Sequence, residues 1–256
     1  MKKIQRQKKT TNPLPDRELA KPILPGTAPT DYERYLRTEE LLSLQKKVQE
    51  LRHPDEMTFQ VVHQSTEIML KGALHELERA RVCITRAEFN EACHLMRRAG
   101  MLIDPTISLL HVLETLTPYD YHVIRAGLGH GSGLDSPGFL GLLHMGPRLG
   151  DAFFGQLGKA LISPEEMYRR YREFPGLHDT AECLLDFDER VQLFRYHHLK
   201  LAERIIGGGV IGTSGVMVEI LHQRLSHSFY KPLWEVRNEI TNRVNLQAQK
   251  PGSKRP

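Results

Sequence analysis

Four times along this chain a short polar residue stands directly before a proline at the head of a run with an apolar face: Asp104-Pro105, Thr117-Pro118, Ser136-Pro137 and Ser163-Pro164. A short polar side chain accepts hydrogen bonds from the free N–H groups of a first helical turn. Proline at the first helical position lacks an N–H that has no partner there in any case. Each pair therefore predicts a helix start. The segments around them carry apolar residues at three- and four-residue spacing, and none shows the every-second-residue alternation of a strand. The fold class that follows is all-α.

In chain order, structure is expected to begin at Asp31. Thr38 is read as the cap of a helix with Glu39 and Glu40 in its first turn and Leu41, Leu44, Val48 and Leu51 as its stripe. A second helix covers about 57–81, with His63, Leu70, Leu74 and Leu77 on one broad face that points His63 inward. A third covers about 86–100, carrying Phe89, Cys93 and Met96. Asp104-Pro105 opens a separate helix through Leu109, Val112 and Leu113, and Thr117-Pro118 a short one carrying Tyr121 and Arg125. A long helix runs from about 180 to Ile206, where Gly207, Gly208, Gly209 and Gly212 stop it. A last helix covers about 215–247, with an interruption near Pro232.

Residues 1–30 are polar, rich in Lys and Pro, and lack an apolar face, so they read as a flexible arm. Residues 31–247 read as one domain and 248–256 as a flexible tail. The basic N-terminus lacks the apolar segment of a signal peptide, and no apolar run is long enough to cross a bilayer. The three cysteines, Cys83, Cys93 and Cys183, have neither CxxC nor zinc spacing and fit a reducing compartment. A cytoplasmic protein is expected. The net charge is +4, and the first nine residues alone carry five positive charges, which leaves no basic stripe for a nucleic acid.

Two histidines far apart in the chain, His63 and His198, are the candidates for chemistry. A histidine on each of two buried helices can bracket a flat cofactor, one ligating its iron and the other facing the reaction. Spacing alone does not assign these roles, since a lone histidine on an apolar face is more often a satisfied core residue than a ligand. Glu67 stands one turn after His63, but no fuller metal-ligand set recurs nearby. His197 and His198 point about 100° apart on a helix, so one at most faces a given pocket. His198 shares its side with Phe194 and Ala202. Tyr121 and Arg125 lie one turn apart, and a guanidinium beside an aromatic ring can grip a carboxylate. The glycine-rich run Gly127-Leu128-Gly129-His130-Gly131-Ser132-Gly133 follows no apolar strand and lacks a phosphate-loop ending, so it is not a nucleotide fingerprint.

Four collinear blocks carry a family resemblance. The first is Pro54-Asp55-Glu56-Met57-Thr58-Phe59-Gln60-Val61-Val62-His63-Gln64, and the second Val112-Leu113-Glu114-Thr115-Leu116-Thr117-Pro118, leading to Tyr121 and Arg125. The third is Arg195-Tyr196-His197-His198 with Glu203-Arg204-Ile205-Ile206-Gly207. The fourth is Phe229 with Leu233-Trp234-Glu235-Val236-Arg237. In this order, from about Tyr32 to Arg237, they resemble the tryptophan 2,3-dioxygenase family of heme enzymes.

The resemblance implies His198 as the proximal ligand of a heme iron and His63 as the distal histidine beside the indole nitrogen. It implies Phe59 as a wall of the substrate pocket, and Arg125, with Tyr121 as its neighbour, as the carboxylate site. It implies a homotetramer in which Tyr32, Tyr35 and Leu36 complete the pocket of an adjacent subunit. O2 is the implied co-substrate. A related branch attaches its heme through a His-x-x-x-Cys motif. No cysteine lies four residues after His197 or His198, so the expected cofactor is noncovalent heme b.

The chain also departs from the family pattern. Gly207–Gly215 stands where the family has a Gly-Thr-Gly-Gly-Ser-Ser-Gly loop, with Thr213 as the implied counterpart of the threonine that meets the substrate ammonium. Leu134-Asp135 replaces Phe-Gln within the Ser-Gly-Phe-Gln-Ser block, and Ser65–Leu70 replaces an aromatic run after the distal His-Gln. The function expected is dioxygenation of the indole C2–C3 bond of L-tryptophan or a substituted tryptophan. The alternatives are monooxygenation of an indole or other aromatic amino acid, and a noncatalytic heme-binding helical protein.

Overall fold

Leu70, Ala73, Leu77, Ala80 and Ile84 recur at the three- and four-residue spacing of one helix face, and all five are fully buried. They belong to α3 (Glu56–Thr85). The computed structural model describes residues 21–210, 222, 225 and 227–248, and among them every regular element is a helix. The chain falls into two compact units, one up to Lys47 and one from Val48 onward.

The first unit holds α1 (Asp31–Leu36) and α2 (Thr38–Leu41). Thr30 caps α1 through a reciprocal capping box with Glu33, and Arg37 ends it in the left-handed region at φ 53°. The helix expected to run on from Thr38 stops at Leu41. Leu41, Leu44 and Val48 are exposed, so no burial offsets the cost of ordering a longer helix there.

In the second unit a 3-10 turn (Val48–Glu50) leads to α3, followed by α4 (Phe89–Leu113), α5 (Pro118–Arg125), a 3-10 turn (Gly133–Asp135), α6 (Pro137–Ala160), α7 (Pro164–Arg169), α8 (Pro175–Ile205) and α9 (Lys231–Ala248). α3 packs on α4 and α6, and α4 packs on α8. Their shared core includes Leu77, Ile103, Leu149, Phe153 and Leu184, each buried side chain of this size contributing about 1.5–3 kcal/mol. A second cluster joins Val62, Leu113, Tyr121, Ile124, Phe194 and Ile205. It gathers the start of α3, the end of α4, the buried face of α5 and the C-terminal part of α8. Among the described residues no helix is long and apolar enough to cross a membrane.

The polar-proline devices open α5, α6 and α7 as expected, with Thr117, Ser136 and Ser163 each accepting a backbone N–H of the first turn. Asp104-Pro105 does not open a helix; Pro105 lies inside α4. The buried face continues through Ile103, Thr106 and Leu110, so burial holds the helix through the proline. The residue four before it, Met101, is on the solvent side. α8 begins at Pro175, earlier than the expected residue 180, with proline again in the first turn. Pro232 stands in the first turn of α9 rather than within a longer helix. The expected start near 215 lies outside the described residues.

Candidate active site

His63 and His198 open onto one cavity of about 440 Å³. Val62, Leu110, Leu113, Leu134, Phe139, Leu143 and Phe194 line much of it, so its walls are chiefly apolar. His63 sits in the second turn of α3, on the side that faces the cavity rather than in the core. Its Nδ1 lies 2.7 Å from the carbonyl oxygen of Phe59, one turn earlier. The ring is exposed to the cavity yet closely surrounded by protein, and this crowding lowers its basicity; the Phe59 carbonyl and Glu67 oppose that effect in part.

His198 reaches the same cavity from α8. Its ring lies parallel to that of Phe194, at 6.3 Å and 8°. Burial, and then the nearby His63, lower its basicity, so a neutral imidazole faces the cavity. A Cβ built at Gly133 would come within 2.9 Å of His198 Nε2, so glycine at 133 keeps side-chain atoms off that nitrogen. His197 turns away, its ring edge-on to His111 at 5.0 Å.

Phe59, Tyr121 and Arg125 are not among the residues that line the cavity. The Phe59 ring is 4.1 Å from His63 and 6.3 Å from Tyr121, which makes one aromatic row from α3 to α5. Tyr121 is buried. Desolvation raises its phenol above the ordinary range, and the charge of Arg125 pulls it back, so guanidinium and phenol are electrostatic neighbours.

The segment before α3 clasps α5 from outside. His53 lies between two carboxylates, with Nδ1 3.7 Å from Asp55 and Nε2 3.4 Å from Asp120. Ligand atoms of these three residues come within 4.8 Å of one another. The ring turns a different nitrogen to each carboxylate and so bridges the two. A Cβ at Gly127 would meet Arg52 Nε at 2.8 Å, so the Arg52 side chain packs directly on the backbone that follows α5.

Glu67, one turn after His63, turns its carboxylate to the start of α6. Its two oxygens accept from Ser136 Oγ and from the Gly138 N–H, the latter at 2.9 Å. On the far wall Arg195 donates to the carbonyl of His227 at 2.9 Å and lies 5.6 Å over the Phe229 ring. Asp188, fully buried, accepts from the Phe229 N–H at 3.1 Å and Trp234 Nε1 at 2.8 Å. Phe139, His227 and the wall role of Phe229 were not evident from periodicity, since each depends on which helices meet. Thr213 lies outside the described residues. Tyr32, Tyr35 and Leu36 are exposed on α1.

A model of the tryptophan 2,3-dioxygenase family matches residues 24–151. The tryptophan 2,3-dioxygenase of Bacillus thuringiensis (strain Al Hakam) is 28% identical over 265 residues, covering 82% of this chain and 92% of that protein. That of Saccharopolyspora erythraea is 31% identical over 261 residues, with the same shares covered. With its helices, its paired histidines and these relatives taken together, the chain belongs to the tryptophan 2,3-dioxygenase family, a family of oxidoreductases.

Proposed function

We propose that this protein is a heme-dependent dioxygenase that opens the indole C2–C3 bond of L-tryptophan or a substituted tryptophan. The chemistry of the cavity fits heme b. A neutral imidazole faces chiefly apolar walls, and glycine stands opposite its Nε2. His198 would hold the iron through Nε2. Ferrous heme, when bound, supplies the O2 chemistry.

The observation that carries dioxygenation is the state of the protons on the α3 side of the cavity. The Phe59 carbonyl only accepts, so the His63 proton sits on Nδ1 and Nε2 offers a lone pair. The Thr66 hydroxyl donates to the Val62 carbonyl at 2.9 Å, and the Ser136 hydroxyl donates to Glu67. Among the described residues this wall therefore keeps no imidazole or hydroxyl proton for delivery. Dioxygenation places both oxygen atoms in the product and consumes no proton. Monooxygenation releases one atom as water and needs two.

His63 Nε2 is suited to accept the indole N–H, and Phe59 to bound the ring. Arg125 would bind the carboxylate, with Tyr121 as its apolar support, and so hold the ring in place. Thr213 would meet the ammonium. Tyr32, Tyr35 and Leu36, exposed on α1, would complete the pocket of a neighbouring copy in a homotetramer. The deciding experiment is mass spectrometry of the product from reduced enzyme, tryptophan and 18O2. Two labels are expected, and one label overturns the reading in favour of monooxygenation. His198→Ala is expected to abolish the Soret band. Arg125→Leu is expected to lose substrate affinity; unchanged turnover and affinity would favour a noncatalytic heme protein.

A further inference from the structure

We infer that Glu67 is a positioning residue that holds the turn 132–138 against the cofactor face of His198. This turn is braced internally. Ser132 Oγ accepts from the Leu134 N–H at 3.2 Å, while the Asp135 carboxylate accepts from the Ser132 N–H at 3.0 Å. The Asp135 N–H donates to the Ser132 carbonyl at 2.9 Å, and Ser136 Oγ accepts from the Phe139 N–H at 3.1 Å. A segment tied in this way moves as a unit, so its position depends on its anchorage to the helices around it.

Glu67 provides that anchorage from α3. Its carboxylate takes the Ser136 hydroxyl on one oxygen and the Gly138 N–H on the other, at the positive end of the α6 dipole. The fit leaves no slack, because a Cβ at Gly138 would stand 2.7 Å from Glu67 Oε2 and 2.8 Å from Leu70 Cβ. Gly133, at the other end of the same turn, is the residue against His198 Nε2. One carboxylate on the helix of His63 thus sets the height of the backbone that faces His198. The part concerning the cofactor rests on the heme reading above.

The test compares Glu67→Ala and Glu67→Gln with Gln156→Ala. Gln156 Nε2 donates to the Thr85 carbonyl at 2.7 Å and ties the same two helices, α3 and α6, at their opposite end. Amide hydrogen exchange across 132–139 is expected to rise at least tenfold in Glu67→Ala, to rise less in Glu67→Gln, and to stay unchanged in Gln156→Ala. With hemin added, the CO stretch of the reduced CO complex is expected to shift in Glu67→Ala and not in Gln156→Ala. A role confined to general stability would leave the stretch of the folded protein in place. Unchanged exchange at 132–139 in Glu67→Ala overturns the inference whether or not the protein binds heme. Faster exchange with an unmoved CO stretch overturns the part concerning the cofactor face. A wild type without a Soret band overturns the heme reading and that part with it, while the exchange result still decides the anchorage.

Discussion

His63 Nδ1 and the Phe59 carbonyl oxygen, one turn apart on α3, are separated by 2.7 Å. This contact assigns the tautomer of His63 and turns the lone pair of Nε2 toward the cavity. Removing that acceptor in His63→Ala is expected to raise KM for tryptophan by roughly two- to tenfold, the worth of about 0.5–1.5 kcal/mol for one net hydrogen bond. For a substrate methylated at the indole nitrogen, wild type and variant should have nearly the same KM. Steady-state kinetics with the pair of substrates check this.

The same contact sets a pH dependence. Burial lowers the His63 pKa from its ordinary value of 6.5 despite the Phe59 carbonyl and Glu67. Above 6.5 the imidazole is neutral and accepts. As pH falls through the lowered value, Nε2 gains a proton and acceptance is lost, so KM is expected to rise on the acid side. Stability moves in the same direction: the unfolded chain takes up this proton at higher pH than the folded one, so acidification below 6.5 favours unfolding. His63→Gln should flatten the acid limb of the KM profile, since its amide oxygen accepts without titrating. A profile unchanged in the variant would assign the limb to another group.

Gly133→Ala places a methyl group 2.9 Å from His198 Nε2, in the space an iron would take under the proposed function. A loss of heme affinity of at least tenfold is expected, with little change in the helical circular dichroism. Titration with hemin followed at the Soret band measures it.

Asp188 holds the wall that carries Phe229. In Asp188→Ala the partly buried Phe229 N–H and Trp234 Nε1 lose their acceptor. At about 1–3 kcal/mol for each unpaired donor, a loss of about 2–4 kcal/mol is expected. Asp188→Asn keeps one acceptor oxygen and should cost less. Calorimetric unfolding of the two variants, side by side, checks the order.

Helix starts were legible wherever one local hydrogen bond decides them. Thr117, Ser136 and Ser163 cap α5, α6 and α7 with their own side chains, next to a proline that gives up nothing. Periodicity also identified α3 and the inward residues Leu70 and Leu77. It failed where burial overruled the local signal. Asp104-Pro105 has the form of a start, yet the buried stripe of α4 runs through it. The apolar residues 41, 44 and 48 have the spacing of a helix, yet they remain exposed.

The site divides in the same way. The residue types at 63, 198 and 125, and the four collinear blocks around them, are properties of the chain itself, and so is the family they indicate. Which histidine of the pair 197–198 faces the cavity was decided by how α8 packs on α4, because neighbouring residues on a helix point about 100° apart. Glu67 shows the limit most clearly. One turn from His63, it has the spacing of a metal partner, but its carboxylate is taken by Ser136 and Gly138, about seventy positions further along. Local order is set by groups a few bonds apart, and the sequence alone determines it. The partners of a carboxylate or an imidazole are set by which helices bury their apolar faces together, and only the tertiary structure decides that.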